Sequence, residues 1–309
     1  CANLGSNMVT LTVTDNNGNS QTGMATVTVL DNMAPSAIAQ NITIYLDANG
    51  SASTSASAVD NGSSDNCAVS GLSLSQTTFG CSDLGLNAVT LTVSDASGNS
   101  STATANVTVL DTVSPQMSTQ NINAYLDANG VVAVSATAVN NASSDNCGIS
   151  SYSLSTTSFT CSDVGANTVI LTATDGSGNS SNMAATITVI DTISPNAVAQ
   201  NISVSLDANG AASIVASNIA TGSSDACGIA SMSVSPSSFS CSDVGANTVT
   251  LTITDVNGNS STATSTVTVQ DNIAPTVVTQ AHTVYLDASG SATIATTDIN
   301  NGSTDNCSI

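Results

Sequence analysis

Lysine, arginine, glutamate and tryptophan are all absent from this 309-residue chain, so its 21 acidic residues are all aspartates and its formal net charge is -21. With His282 the one basic side chain, the carboxylates must be neutralised from solution. An excess of one sign this large repels nucleic acid and anionic membrane surfaces. Aromatic residues make up 2% of the chain, which removes most of the side chains that anchor binding hot spots. No apolar run long enough to span a bilayer and no charged-then-apolar leader occurs, so neither a membrane insertion nor a signal peptide is expected within this stretch.

What is present is Ser, Thr, Asn, Gly and small or β-branched apolar residues, a mixture that favours strands and turns. Eight cysteines, beside few other soft ligands, point to disulfides and an oxidising, extracellular compartment. They recur with a period of 80 residues and no insertion: Cys1, Cys81, Cys161 and Cys241 in one register, Cys67, Cys147, Cys227 and Cys307 in another, and Pro35, Pro115, Pro195 and Pro275 in a third. A unit of this length can hold its own core, so the array reads as beads rather than a solenoid. Boundaries before each proline give the tail of one domain at 1–33, complete domains at 34–113, 114–193 and 194–273, and the head of another at 274–309.

In the first complete repeat, apolar residues alternate in Ile42, Ile44 and Leu46, in Val89, Leu91 and Val93, and in Val107 and Val109. Period-two patterning marks strands with one buried face. Asp47-Ala48-Asn49-Gly50 and Asp95-Ala96-Ser97-Gly98-Asn99 supply the residues tight turns need. Six or seven short strands in such a unit is the pattern of an immunoglobulin-like or fibronectin III-like β-sandwich, here in tandem along an extended rod. Phe79, Phe159, Phe239 and Tyr45 are expected to fill the otherwise thin cores.

The string Ser64-Asp65-Asn66-Cys67, Gly85 before Val89 to Val93, the Asp95 to Asn99 turn, Val107-Thr108-Val109 and the Asp111 to Pro115 linker together resemble hyalin-type (HYR) repeats. They are similar in particular to the repeats of very large Bacteroidetes cell-surface proteins, gliding-motility adhesins among them. The resemblance implies an Ig-like fold and an adhesive or structural role at the cell surface. One departure is that Ser100, Ser101 and Thr102 stand where such repeats often carry a cysteine.

In an Ig-like domain Cys67 would lie at one pole and Cys81 at the other, about a strand length apart, beyond the roughly 7 Å between Cα atoms that a bridge tolerates. Pairing across repeats, Cys1–Cys67, Cys81–Cys147, Cys161–Cys227 and Cys241–Cys307, uses every cysteine. Hairpin pairing, Cys67–Cys81, Cys147–Cys161 and Cys227–Cys241, is the alternative, and reduced thiols in the cores are a third course.

The aspartates are candidate ligands for Ca2+, which favours six to eight hard oxygens. They fall in linkers (Asp31, Asn32, Asp111, Asp191, Asp271), in the first turn of each repeat (Asp47, Asp127, Asp207), in the segment with Cys67 (Asp65, Asp145, Asn146, Asp225), after Cys81 (Asp83, Asp163, Asp243) and in the last turn (Asp95, Asp175, Asp255). The linker from Asp31 to Pro35 is similar to cadherin calcium linkers but lacks their full acidic set. Ordinary turn chemistry is the competing explanation, because Asp and Asn suit tight turns.

Catalysis is not expected: no repeat sets a cysteine beside a base, paired carboxylates repeat identically, and His282 reads as a surface strand residue. Alternating threonines such as Thr10, Thr12 and Thr14 are the ordinary solvent face of a strand rather than an ice-binding plane. Thr112 and Thr192 sit in Asp-Thr contexts that resemble a Bacteroidetes O-glycosylation signal. Two functional classes remain: a passive spacer whose partners are neighbouring repeats of a longer chain, or repeats that themselves bind a glycan or protein. Lateral self-association into a fibre is a third course, since edge strands free of Lys are weakly protected.

Overall fold

The computed structural model describes residues 1–309. The chain divides into two compact units: Cys1–Gln120 with Ala136–Ser155 and Val169–Ala185, and Asn121–Ser135 with Thr156–Thr168 and Thr186–Ile309.

The first unit begins with an antiparallel hairpin, β1 (Gly5–Thr14) and β2 (Ser20–Val29). Then come β3 (Ile42–Tyr45), β4 (Ser51–Ser53), the one-turn helix α1 (Ala56–Val59), β5 (Val69–Leu74), β6 (Thr78–Gly80), β7 (Gly85–Asp95) and β8 (Ser100–Leu110). These strands make an Ig-like β-sandwich: a four-stranded sheet in the order β3-β8-β7-β5 and a two-stranded sheet β4-β6. β3 runs parallel to β8, and the other pairs are antiparallel. Strand alternation points Leu46, Phe79, Val89, Val107 and Val109 inward with Val59 of α1. Ser55 caps α1, its hydroxyl accepting from the N–H of Ala58. The β7–β8 turn is closed by Asp95, whose N–H donates to the Asn99 carbonyl, with Gly98 at φ +92°.

The same element order returns 80 residues later as β9 (Ile122–Tyr125), β10 (Val131–Ala133), α2 (Ala136–Val139), β11 (Ile149–Leu154), β12 (Ser158–Thr160), β13 (Gly165–Asp175) and β14 (Ser180–Ile190). Within the first unit β11 pairs with β13; within the second, β9 lies parallel to β14 and β10 pairs with β12. The second unit continues with β15 (Ile202–Ser205), β16 (Ala211–Ser213), α3 (Ala216–Ile219), β17 (Ile229–Ser235), β18 (Ser238–Ser240), β19 (Gly245–Asp255) and β20 (Ser260–Gln270), in sheets β15-β20-β19-β17 and β16-β18. Leu206, Ile219, Phe239, Leu251, Ile253 and Val267 centre its core. A last one-turn helix, α4, spans Thr296–Ile299.

Two expectations are corrected. Phe79, Phe159 and Phe239 are buried, but Tyr45 is 59% exposed. The alternation that turns Ile42, Ile44 and Leu46 inward points Tyr45 outward with Thr43. His282 is exposed as expected, yet it lies in no strand. Its counterpart Ile202 pairs with Val267 in the last strand of its own repeat, a partner that His282 does not have.

Candidate metal centre

The eight cysteines form four cystines, Cys1–Cys67, Cys81–Cys147, Cys161–Cys227 and Cys241–Cys307, each with a sequence separation of 66. Cα–Cα distances of 5.1 to 5.3 Å lie within the ordinary bridging range. No cysteine is free, so no thiol nucleophile exists. Cys81 opens a single 3-10 turn, Cys81–Asp83, after β6, while Cys147 lies between α2 and β11. Their approach requires a glycine: Gly50 has φ +72°, and a Cβ there would stand 2.8 Å from both the Asn146 carbonyl oxygen and Cys81 Sγ.

Beside this cystine, Asp111, Asp145 and Asp175 bring carboxylate oxygens within 4.8 Å of one another. Asp111 immediately follows β8, Asp145 precedes the cystine residue Cys147 by two positions, and Asp175 ends β13. Asp111 is 6% exposed and Asp175 3%. Asp111 Oδ1 accepts from the Val113 N–H and from Asn146 Nδ2, and Asp145 Oδ2 accepts from the Cys147 N–H at 3.0 Å. The opposite oxygens, Asp111 Oδ2 and Asp145 Oδ1, are buried without any donor, as is Asn146 Oδ1. Asp175 is held in its turn by the N–H groups of Ser177 and Asn179 and by Asn179 Nδ2. That same Nδ2 reaches the Asp111 carbonyl at 3.1 Å, tying the last turn to the linker.

An equivalent group gathers Asp31, Asp65 and Asp95. There Asn66 Nδ2 donates to Asp31 Oδ1, Asn99 Nδ2 to the Asp31 carbonyl, and Asp31 Oδ2 and Asp65 Oδ1 are buried and unpartnered. In the second unit the group is Asp191, Asp225 and Cys227. Asp225 Oδ1 accepts from the Cys227 N–H, and Asp191 Oδ2 is buried without a partner. Ala226 stands where the other groups have Asn66 and Asn146.

The remaining candidates fall outside the three groups, although Asn146 Nδ2 also reaches the Asp47 carbonyl and Asn259 Nδ2, beside Asp255, the Asp191 carbonyl at 3.3 Å. Asp47 Oδ1 accepts from the N–H groups of Asn49 and Ser51. The Ser51 N–H, then that of Asn49, holds the Asp47 carboxyl below the usual carboxylate range. Asp127 and Asp207 close their turns in the same way. Asp83, Asp163 and Asp243 accept from the N–H groups of Gly80, Thr160 and Ser240. Asp255 is bonded within its turn to Asn257 and Asn259. Asn32, Thr112 and Thr192 are exposed. Asp271 accepts from Asn306 Nδ2; Asp305 and Asn306, whose Oδ1 atoms are buried and unpartnered, were not singled out by sequence, although the Asp-Asn-Cys string they share with Asp145 to Cys147 marks them.

No family model matches the chain. No curated protein matches it either. Among solved structures it is similar to Sidekick-1 immunoglobulin domains 1–5, at 10% identity over 88% of this chain and 67% of that one, TM-score 0.35. Protocadherin Gamma B2 extracellular cadherin domains 1–5 are 12% identical over 91% and 69%, TM-score 0.31, and mouse Cadherin-23 EC22–24 is 12% identical over 77% and 99%, TM-score 0.30. At these scores nothing about activity follows.

The donor set fits a hard divalent cation. Two oxygens on one Ca2+, each about 2.3–2.6 Å from it, lie no more than about 5 Å apart, and the Asp111 group meets that limit. Three carboxylates in a chain without a lysine or arginine, and buried oxygens without donors, carry a desolvation cost that a cation offsets. No helix is long and apolar enough to cross a membrane.

Proposed function

We propose that this chain is a segment of an extracellular stalk in a bacterial surface adhesin, a spacer that projects a binding tip away from the cell. The observation that supports the reading is the row of cystines, each joining one sequence repeat to the next. Such bridges belong to an oxidising compartment, and they stiffen a chain whose small side chains make thin cores. Ca2+ neutralises the aspartates of successive repeats. The residue pattern that resembles HYR repeats of Bacteroidetes adhesins supports the bacterial setting.

The test is to delete whole 80-residue repeats from the native protein and measure cell attachment under flow and the distance at which cells are held. Attachment should persist while the holding distance shortens by a fixed step per repeat. Loss of ligand binding in proportion to the repeats removed would instead identify the repeats as the binding module.

A further inference from the structure

We propose that Asp111, Asp145, Asp175 and Asn146 form one divalent-cation site, that Asp31, Asp65 and Asp95 form its equivalent, and that the Asp191–Asp225 group is a weakened copy, so that joints built from one repeat differ in their affinity for Ca2+. The inference rests on the calcium reading above and adds which residues hold the ion and which joint holds it poorly.

At the first site the chain supplies three carboxylates and an amide oxygen, Asn146 Oδ1, and three of the offered oxygens are buried with no donor of their own. Asn146 has a second task. Its Nδ2 donates to Asp111 Oδ1 at 3.1 Å and to the Asp47 carbonyl at 3.0 Å, which orients Asp111 and leaves Oδ2 as its free oxygen. Outer hydrogen bonds of this kind fix a ligand's orientation and shape metal affinity.

The Asp191–Asp225 group loses both contributions. Ala226 offers neither an amide oxygen nor a donor to Asp191. The third member of the group is Cys227, the counterpart of Cys67 and Cys147, while Asp255, the counterpart of Asp95 and Asp175, is not a member of it; the Cys227 sulfur is bonded to Cys161. A disulfide sulfur is soft and uncharged, a poor match for Ca2+. A cleft lined by Ala128, Ile193, Asp225 and Ala226 opens at this point, so there is room for a longer side chain at position 226.

Calorimetric titration of the whole calcium-stripped, disulfide-intact chain with CaCl2 tests this. Two tighter sites and one weaker site are expected. Ala226→Asn should tighten the weak site about tenfold, the scale on which outer-shell partners act, and being a gain it does not depend on a damaged fold. Asp145→Asn should remove one tight site while mass mapping finds the cystines unchanged. Three equal sites, no tightening in Ala226→Asn, or an unchanged tight-site count in Asp145→Asn overturns the inference and leaves the calcium reading standing. Absence of binding by wild type and Ala226→Asn alike overturns both.

Discussion

Asp111 and Asp191 occupy the same place in successive repeats, both are nearly buried, and both leave Oδ2 without a donor. Their surroundings differ. Asp111 meets two further carboxylates and the amide of Asn146, whereas Asp191 meets one further carboxylate and a cystine sulfur, with Ala226 at the position of Asn146. Backbone, turns and cystine are reproduced at both positions while the ligand set is not. A repeat can therefore keep its fold while the side chains of its acidic group change, because neither described core cluster contains an aspartate.

The largest effect should treat the two joints alike. Replacing Cys81 and Cys147 by serine, or Cys161 and Cys227, opens a loop of 66 residues in each case, and each is expected to cost about 4 kcal/mol by loop-closure entropy. Urea denaturation of the two double variants checks this; clearly unequal losses would mean that the bridges do more than close loops.

Calcium removal should then separate the joints. Where free Ca2+ stood at 100 times Kd, chelation is expected to withdraw about 2.7 kcal/mol from segments around Asp111 and far less around Asp191. Hydrogen exchange at the ends of the strands that lead into these residues, Val109–Leu110 of β8 and Val189–Ile190 of β14, with and without chelator, reads the difference, and equal changes at the two ends would erase the contrast.

Smaller again are the glycines at the cystines. Gly50→Ala and Gly130→Ala each place a Cβ 2.8 Å or less from a cystine sulfur at positive φ, for about 1–3 kcal/mol, measured as a shift in thermal midpoint. A neutral Gly50→Ala variant would show that the Cys81–Asn146 approach is looser than described.

Acid should act on both last turns in the same sense. The Asn99 side chain, assisted by backbone N–H groups, holds the Asp95 carboxyl below its ordinary value. At Asp255 burial pushes the other way but is outweighed by the Asn259 side chain and neighbouring N–H groups. A depressed folded value means that this stability is complete above the unfolded pKa, about 3.9, and is lost as pH falls through the lower folded value. NMR titration of the two carboxyls of the calcium-stripped chain between pH 7 and pH 2 checks it; midpoints at or above the unfolded value would contradict the turn geometry.

The strands were readable because alternation and the 80-residue period reinforce each other: Val89, Leu91 and Val93 could bury only one face. Tyr45 was misread because its size was weighed above its parity. The acidic groups were legible in part. Of the eighteen candidates, topology read from the sequence gathers Asp47, Asp83, Asp111, Asp145, Asn146 and Asp175 at one junction, whereas the carboxylates that meet are those of Asp111, Asp145 and Asp175, because which aspartates meet depends on where turn carboxylates spend their acceptors. Asp47 and Asp83 satisfy backbone donors of their own turns, whereas Asp111 and Asp145 each keep one oxygen free, a distinction that composition does not carry. The reach of Asn179 to the Asp111 carbonyl, 68 residues away, was likewise hidden until the chain folded.

The placement of the cystines also sets how far the chain can be drawn out. A covalent path enters at Cys1, crosses to Cys67, follows the backbone to Cys81, crosses to Cys147 and goes on to Cys161. Everything between Cys81 and Cys147 hangs beside that path as slack that never comes taut. The backbone on the path from Cys67 to Cys81 is 14 residues long, about 50 Å at full extension, whereas an unbridged repeat would pay out about 270 Å. Even with every sandwich melted, the chain would behave as a short-linked tether whose length is limited by sulfur bonds and not by folding.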